Sequence, residues 1–223
     1  MDGMLFAVAL KKFLAGFMVV GLLLFLPAGT LAWWRGWLLM GILFAPMFIA
    51  GLVMMAKAPD LLRKRLDADE DEDEQRVVLA LSAIMFVACF VVAGLTFRFG
   101  WIELPAWASW AGAAVFLAAY VLYAEVMREN AYLSRTIEVQ DGQRVVDTGL
   151  YGVVRHPMYS ATLLLFLSMP VVLGSPISLI IMLAYLPIIA KRIHNEEQVL
   201  SEGLVGYEEY MGRVKWRLIP HVW

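Results

Sequence analysis

Two short polar segments flank one long apolar stretch of this chain, and they contain the residue types best suited to chemistry. Arg155, His156 and Tyr159 stand at its start, and Arg192 and the Glu196-Glu197 pair follow it. Both segments meet the membrane surface at the same level, so we expect the two sets of side chains to face each other. Charged residues at membrane depth are costly and usually mark a function.

Each of these residues also has a structural explanation. An Arg-His-Pro step before an apolar run can anchor a helix at the interface, with the proline in its first turn. Glu196 and Glu197, after Lys191 and Arg192, can form helical ion pairs worth about 0.2–0.5 kcal/mol each. Farther along, Tyr207 can belong to an interfacial aromatic belt. The residues therefore suggest a site only when they are considered together.

Other common kinds of site are not visible in the sequence. His156, His194 and His221 lack the spacing of metal ligands, so we expect no bound metal. The sequence has no glycine-rich nucleotide loop after a strand and no Gly-x-Ser-x-Gly nucleophile elbow. The one cysteine, Cys89, lies in an apolar run and is expected to be a small buried hydrophobe.

The composition places these residues in a membrane protein. Of 223 residues, 61% are hydrophobic and 17% are charged, whereas soluble domains have about 45–50% apolar and about 25% charged residues. A chain of this length cannot enclose so much apolar surface, so the excess must face lipid. The net charge of −2 indicates no polyanionic partner and hence no nucleic acid. The sequence predicts an all-α, polytopic integral membrane protein.

The helices that must position the polar segments follow from their length, since a helix needs about 20 mostly apolar residues to span a bilayer. Four segments satisfy this requirement: roughly 13–32, 36–56, 77–97 and 104–126. The charge-free stretch 158–190 is broken at Gly174-Ser175-Pro176, which predicts a short helical hairpin. We therefore expect N-terminal transmembrane helices at 1–126, and a second region at 127–223 with a connector, the hairpin, a C-terminal helix and a tail.

The basic residues predict the orientation. With these helices, nearly all lysines and arginines fall on one side of the membrane, and only Arg35 and Arg98 fall on the other. By the positive-inside rule, both termini and the polar segments face the cytoplasm of a cell membrane. The first segment, with Lys11 and Lys12, lacks a cleavage motif, so we interpret it as a membrane helix. The acidic run at 67–74 is expected to be a solvated loop without a role.

Several ordered motifs resemble the isoprenylcysteine carboxyl methyltransferase family. The run from Thr148 to Tyr151 and the run from Arg155 to Tyr159 resemble its GxY…RHPxY signature. Arg192, the EEQVL run that begins at Glu196, and the stretch from Gly206 to Pro220 resemble its EExxL…GxxYxxY…RV…IP pattern. The resemblance covers roughly residues 130–223. Lys215 departs from it, since the family often has proline there.

The resemblance implies an integral membrane enzyme that uses S-adenosylmethionine without a Rossmann domain and releases S-adenosylhomocysteine. It implies a cytoplasm-facing cofactor pocket formed by the hairpin and C-terminal segments. Arg192 matches the arginine implicated at the methyl acceptor, and Arg192 and Glu197 are the predicted catalytic residues. The residues expected to contact the cofactor are Gln140, Gln143, Arg144, Val145, Val146, Tyr151, His156, Pro157, Met158, Tyr159 and Glu196.

The acceptor stays open at this point. A carboxylate acceptor is already ionised at neutral pH and needs no base, and Arg192 can hold it in line. An amine of a phospholipid or a small thiol would need a base, with Glu197 or His194 as candidates. The expected partners are membrane lipids and a lipophilic small molecule or lipidated acceptor, most simply a carboxylate of isoprenylcysteine type.

Two other classes of protein fit the sequence less well. A transporter would have ionisable residues along its helices, but the predicted spans contain only Glu125, close to a cytoplasmic end. A sterol-reductase-like enzyme would bind a nicotinamide cofactor in a similar pocket. The short 127–157 segment, which has no evident arginine cluster for a 2′-phosphate, disfavours that alternative.

Overall fold

The structure is a computed structural model, and it describes residues 3–66, 73–130, 132, 139–140 and 142–223. Residues 67–72 of the acidic run lie outside the described residues. Every regular element in the described part of the chain is helical, which confirms the predicted all-α class. The elements are α1 (Gly3–Ala28), α2 (Trp34–Lys57), α3 (Pro59–Leu66), α4 (Asp73–Phe99), α5 (Ala106–Glu129), a 3₁₀ turn (Gly149–Gly152), α6 (Pro157–Val172), α7 (Pro176–Met182), α8 (Tyr185–Gly203) and α9 (Tyr207–Arg213).

The helix lengths confirm a multi-pass membrane protein. Helices α1, α2 and α5, residues Ala80–Phe99 of α4, and the stretch Pro176–Gly203 are each long and apolar enough to cross a bilayer. The first helix begins ten residues earlier than predicted, at Gly3 instead of 13. The earlier start brings Lys11 and Lys12 into the helix. Here the Lys12 ammonium donates to the carbonyl of Leu66 at the end of α3.

Contacts divide the chain into two compact units. One comprises Met1–Ala113 with Ser168–Met182, and the other comprises Ala114–Leu167 with Leu183–Trp223. The regions predicted from sequence, 1–126 and 127–223, follow the order of the chain and differ from these two units, so that division stays a prediction.

In the first unit, α4 packs closely on α1 and α7. Gly94 permits the contact with α1, because a Cβ atom there would lie 2.7 Å from the Leu24 carbonyl oxygen. On the other side, the Ser178 hydroxyl donates to the carbonyl of Cys89 at 2.9 Å. The Cys89 side chain is completely buried, as predicted.

A buried arginine holds the turn before α7. Arg35 is 7% exposed, and it donates to the Glu103 carboxylate at 2.6 Å and to the Leu104 carbonyl at 2.7 Å. Gly174 has a φ of 73°, and a Cβ atom there would overlap the Arg35 guanidinium. The break predicted at this glycine therefore has two causes, a left-handed backbone and a close approach by an arginine.

In the second unit, the chain after α9 passes beside the start of α6. The backbone N–H groups of Arg155 and His156 donate to the carbonyls of Trp216 at 2.8 Å and Arg217 at 2.9 Å. Two tyrosines of α9 form a hydrophobic cluster with the residues on either side of the helix; its members are Leu204, Tyr207, Tyr210 and Val214. These contacts bring the Arg-His-Pro step, helix α9 and the tail into one compact arrangement.

Candidate active site

A cavity of about 250 Å³ lies within the second unit. It is bounded by the end of α5, the segment 143–146, the 3₁₀ turn and the facing parts of α6, α8 and α9. Its lining combines ionisable, aromatic and aliphatic side chains: Tyr123, Asn130, Tyr132, Gln143, Arg144, Val145, Val146, Tyr151, Arg155, His156, Met158, Tyr159, Thr162, Arg192, Glu196, Leu200, Leu204, Tyr207 and Tyr210. This mixture suits a ligand with both polar and apolar parts.

Most of the residues predicted from sequence line this one cavity. They are Gln143, Arg144, Val145, Val146, Tyr151, His156, Met158, Tyr159, Arg192 and Glu196. Gln140, Pro157 and Glu197 are not among the lining residues. Gln140 shapes the wall instead, because its side chain donates to the Tyr132 carbonyl at 2.9 Å and its N–H donates to the Gln143 side chain at 2.8 Å. Pro157 is the first residue of α6.

Three side chains on α6 and α8 form a hydrogen-bonded chain along the cavity wall. The Tyr159 hydroxyl donates to the Glu196 carboxylate at 2.5 Å and accepts from Arg192 Nε at 2.9 Å. The residue predicted for the acceptor is thus joined through one phenol to a residue predicted for the cofactor. The His156 ring lies next to this chain and stacks on the Tyr159 ring, with 5.7 Å between ring centroids.

Glu197 has a different environment from Glu196. It is 6% exposed, and its carboxylate accepts from Arg155 Nε at 2.7 Å and Arg217 Nε at 2.9 Å. The His156 Nε2 atom lies 3.2 Å from the same carboxylate. Two guanidinium groups hold the carboxylate ionised and in a fixed position. A carboxylate held in this way can orient the His156 imidazole. A general base would instead need a carboxylate oxygen that is open to the cavity.

The tail after α9 is attached to the Arg-His-Pro step by the same arginine. Arg155 Nη1 donates to the carbonyls of Val214 at 2.8 Å and Lys215 at 3.0 Å. The Ser160 hydroxyl donates to the Leu218 carbonyl at 2.7 Å. Arg155 was expected to face Arg192 and the two glutamates, but neither Arg155 nor Arg217 was assigned a catalytic or cofactor-binding role. The only sequence signal for them was the position of Arg155 within a motif, since pairing across about 60 residues leaves no local pattern.

The Gly-Leu-Tyr motif forms the 3₁₀ turn, and its first position requires glycine for a steric reason. The Glu129 carboxylate accepts from the Leu150 N–H at 2.9 Å, and a Cβ atom on Gly149 would overlap that carboxylate. The turn directs Tyr151 inward, where its hydroxyl accepts from Asn130 Nδ2 at 3.0 Å. Burial raises the pKa of Tyr151 to about 12, so its phenol stays neutral at physiological pH.

Two tyrosines on α9 differ in how their hydroxyl groups are satisfied. The Tyr210 hydroxyl donates to the Tyr151 carbonyl at 2.8 Å. The Tyr207 hydroxyl is buried and has no hydrogen-bond partner within the described part of the chain. Burial, together with the nearby charges of Glu197 and Glu196, raises the pKa of Tyr207. Tyr207 was expected only to match a motif or a belt, so an unsatisfied donor in the cavity wall is a new feature.

Metal ligation is not suggested by this arrangement. Among the described residues, no group of three or more histidine, cysteine, aspartate or glutamate side chains is placed to hold a metal ion. The cavity lining includes arginine, carboxylate, imidazole and phenol side chains.

The fold and the cavity together define a class of protein, a multi-pass membrane protein with a pocket of mixed polar and apolar lining in its C-terminal part. Residues 110–202 match the model of the isoprenylcysteine carboxyl methyltransferase family. This part of the chain therefore belongs to that family, as its motifs predicted, and the predicted enzyme class, a membrane methyltransferase of this type, is confirmed.

A solved structure has a similar fold. It is that of the eukaryotic intramembrane Ras methyltransferase, isoprenylcysteine carboxyl methyltransferase, determined without a monobody. The TM-score is 0.60 at 18% identity, and the match covers 94% of this chain and 74% of the other. No curated protein matches the chain in a sequence comparison. The family uses S-adenosylmethionine in general.

Proposed function

We propose that the cavity binds S-adenosylmethionine and that the enzyme methylates a carboxylate on a lipophilic acceptor of isoprenylcysteine type. The observation that carries the proposal is the hydrogen-bonded chain of Arg192, Tyr159 and Glu196 in the cavity wall. It supports two adjoining subsites, one for a cationic amine and one for an anionic acceptor.

The residues present fit the proposed cofactor. Glu196 offers a carboxylate for the amine, and Met158, Leu200 and Leu204 offer apolar surface for the adenosine. Gln143 and Asn130 add hydrogen-bonding groups. The unsatisfied Tyr207 hydroxyl supports occupancy by a polar ligand, because buried polar groups are nearly always hydrogen-bonded. When bound, S-adenosylmethionine supplies an electrophilic methyl group on a sulfonium centre.

Arg192 is proposed to hold the acceptor. Methyl transfer is an in-line displacement, so the main task of the protein is alignment, which can contribute about 7–11 kcal/mol to lowering a barrier. A guanidinium can hold a carboxylate with two parallel hydrogen bonds. Arg192 Nε already donates to Tyr159, and this contact orients the guanidinium toward one side of the cavity. No base is needed, since the acceptor carboxylate is ionised at neutral pH.

For Glu197 we propose a positioning role. Its carboxylate accepts from Arg155 and Arg217 and faces His156, and it is not a lining residue of the cavity. A phospholipid amine or a small thiol as acceptor would require a general base. These contacts of Glu197 therefore favour the carboxylate acceptor over those two.

The orientation is also part of the proposal. We place both termini, the 143–146 segment and the tail on the cytoplasmic side of a cell membrane, because the basic residues concentrate there. A soluble cofactor then reaches residues 127–223 from the cytoplasm, and a hydrophobic acceptor reaches them from the lipid bilayer.

The first experiment is calorimetric titration of S-adenosylhomocysteine into the detergent-purified protein, its His156→Ala variant and a matched His194→Ala control. His156 is buried in the cavity wall, whereas His194 is an exposed residue of α8 outside the lining. Micromolar binding that is lost in His156→Ala and kept in His194→Ala supports the proposal. A folded wild-type protein that binds no S-adenosylhomocysteine contradicts it and favours the reductase or transporter alternatives.

A further inference from the structure

We propose that Tyr207 is a cofactor-binding residue whose hydroxyl donates a hydrogen bond to the carboxylate at the amino-acid end of the bound cofactor. This inference rests on the proposed function and adds a residue and a specificity element to it.

The first observation is that the Tyr207 hydroxyl is buried without a hydrogen-bond partner in the described chain, which costs folding free energy. The residue is 4% exposed and lines the cavity, yet its hydroxyl has no partner among the described residues. A buried hydroxyl without a hydrogen bond destabilises the fold. If burial of the ring were the only requirement, phenylalanine would pack in the same volume without that cost. The hydroxyl is therefore best explained by a partner that arrives with the ligand.

The second observation identifies the kind of partner. Burial and the charges of Glu197 and Glu196 raise the pKa of Tyr207, so the phenol stays protonated and acts as a donor. Tyr207 and Glu196, the residue proposed for the cofactor amine, line the same cavity. At the amino-acid end of the ligand, the carboxylate oxygens are the strong hydrogen-bond acceptors. Arg144 also lines the cavity but is exposed. The buried Arg155 already donates to Glu197 and to two backbone carbonyls, so Tyr207 is a buried donor that has no partner among the described residues.

The third observation is an internal comparison with Tyr210, three residues later on α9. The Tyr210 hydroxyl donates to the Tyr151 carbonyl at 2.8 Å and so links α9 to the 3₁₀ turn. Tyr210 thus has a structural reason for its hydroxyl, and Tyr207 has none within the described chain. The two tyrosines provide a matched pair of variants that distinguishes a ligand contact from a fold contact.

The test compares the wild-type protein with Tyr207→Phe and Tyr210→Phe in two measurements, the melting temperature in detergent and the Kd for S-adenosylhomocysteine. Tyr207→Phe is expected to keep or raise the melting temperature and to weaken binding about five- to tenfold, as for one buried hydrogen bond. Tyr210→Phe is expected to lower the melting temperature. An unchanged Kd in Tyr207→Phe overturns the proposal, and so does a melting temperature lowered as far as in Tyr210→Phe.

A second ligand tests the carboxylate itself. S-adenosyl-3-thiopropylamine keeps the amine and lacks the carboxylate, so Tyr207→Phe should bind it as the wild type does. An equal loss of affinity for both ligands would place the Tyr207 contact away from the carboxylate and overturn the assignment. A wild-type protein that binds neither ligand would refute the proposed function, which is a different result from a change confined to Tyr207→Phe.

Discussion

At the scale of single residues, the adjacent glutamates Glu196 and Glu197 have different surroundings. Glu196 lines the cavity and accepts from Tyr159, whereas Glu197 is buried between Arg155 and Arg217. Neighbouring residues on a helix point about 100° apart, so the Glu196 carboxylate faces the cavity and the Glu197 carboxylate faces Arg155 and the tail. Substitution of Glu196 should therefore affect cofactor binding, whereas substitution of Glu197 should affect the stability of the fold.

Glu197→Gln tests the positioning role. The substitution leaves the buried Arg155 guanidinium and the partly exposed Arg217 guanidinium without their counter-charge, and we expect a loss of stability of about 3 kcal/mol. The pH–rate profile should keep its shape, because no proton transfer depends on Glu197. Thermal unfolding in detergent and the pH dependence of kcat would measure the two effects. A pH–rate profile of altered shape, with a large fall in kcat and an unchanged melting temperature, would show instead that Glu197 is a base.

Arg192→Ala tests the division between cofactor and acceptor. We expect the Kd for S-adenosylhomocysteine to change by less than about threefold, while kcat/KM with a farnesylated N-acetylcysteine falls by roughly 100-fold, as for a lost charged hydrogen-bond pair of about 3 kcal/mol. Arg192→Lys is the control, since it keeps the charge and loses the bidentate geometry. Equal losses of cofactor binding and turnover would refute the division of roles.

At the scale of the elements, the turn between α6 and α7 depends on one glycine and one arginine. Gly174 has a positive φ, and a Cβ atom there would overlap Arg35, which also holds Glu103. This turn belongs to the first unit, so its integrity is a question of fold stability and not of direct contact with the cavity.

Gly174→Ala should therefore destabilise the protein strongly. Gly100→Ala is the matched control, because Gly100 also has a positive φ, of 62°, but a Cβ atom added there would have no neighbour within 4 Å. We expect about 1–2 kcal/mol of strain for Gly100→Ala and a clearly larger loss for Gly174→Ala, measured as melting temperatures. Equal losses would mean that the Arg35 contact adds nothing to the requirement for glycine.

At the scale of the whole molecule, the orientation in the membrane decides how each ligand arrives. The only cysteine, Cys89, is completely buried, so an added surface cysteine can be labelled against a low background. Ile102, in the α4–α5 loop, is 77% exposed, and Glu208 on α9 is exposed as well. These positions lie on the two sides of the membrane in the proposed topology.

In intact cells, a membrane-impermeant maleimide should label Ile102→Cys and leave Glu208→Cys unlabelled until the membrane is permeabilised. The expected result follows from the placement of nearly all basic residues on the cytoplasmic side. Labelling of Glu208→Cys in intact cells would invert the topology and with it the proposed route of the cofactor.

The sequence by itself determined the helical membrane class, the family and most of the residues that line the cavity. Hydrophobic length and short motifs are local properties, so they can be recognised without coordinates. Only the tertiary structure decided that Glu197 pairs with Arg155 and Arg217, that Gln140 shapes the wall, and that the Tyr207 hydroxyl is left unsatisfied. Such pairings depend on which side chains meet across distant segments, and no local pattern in the chain encodes that.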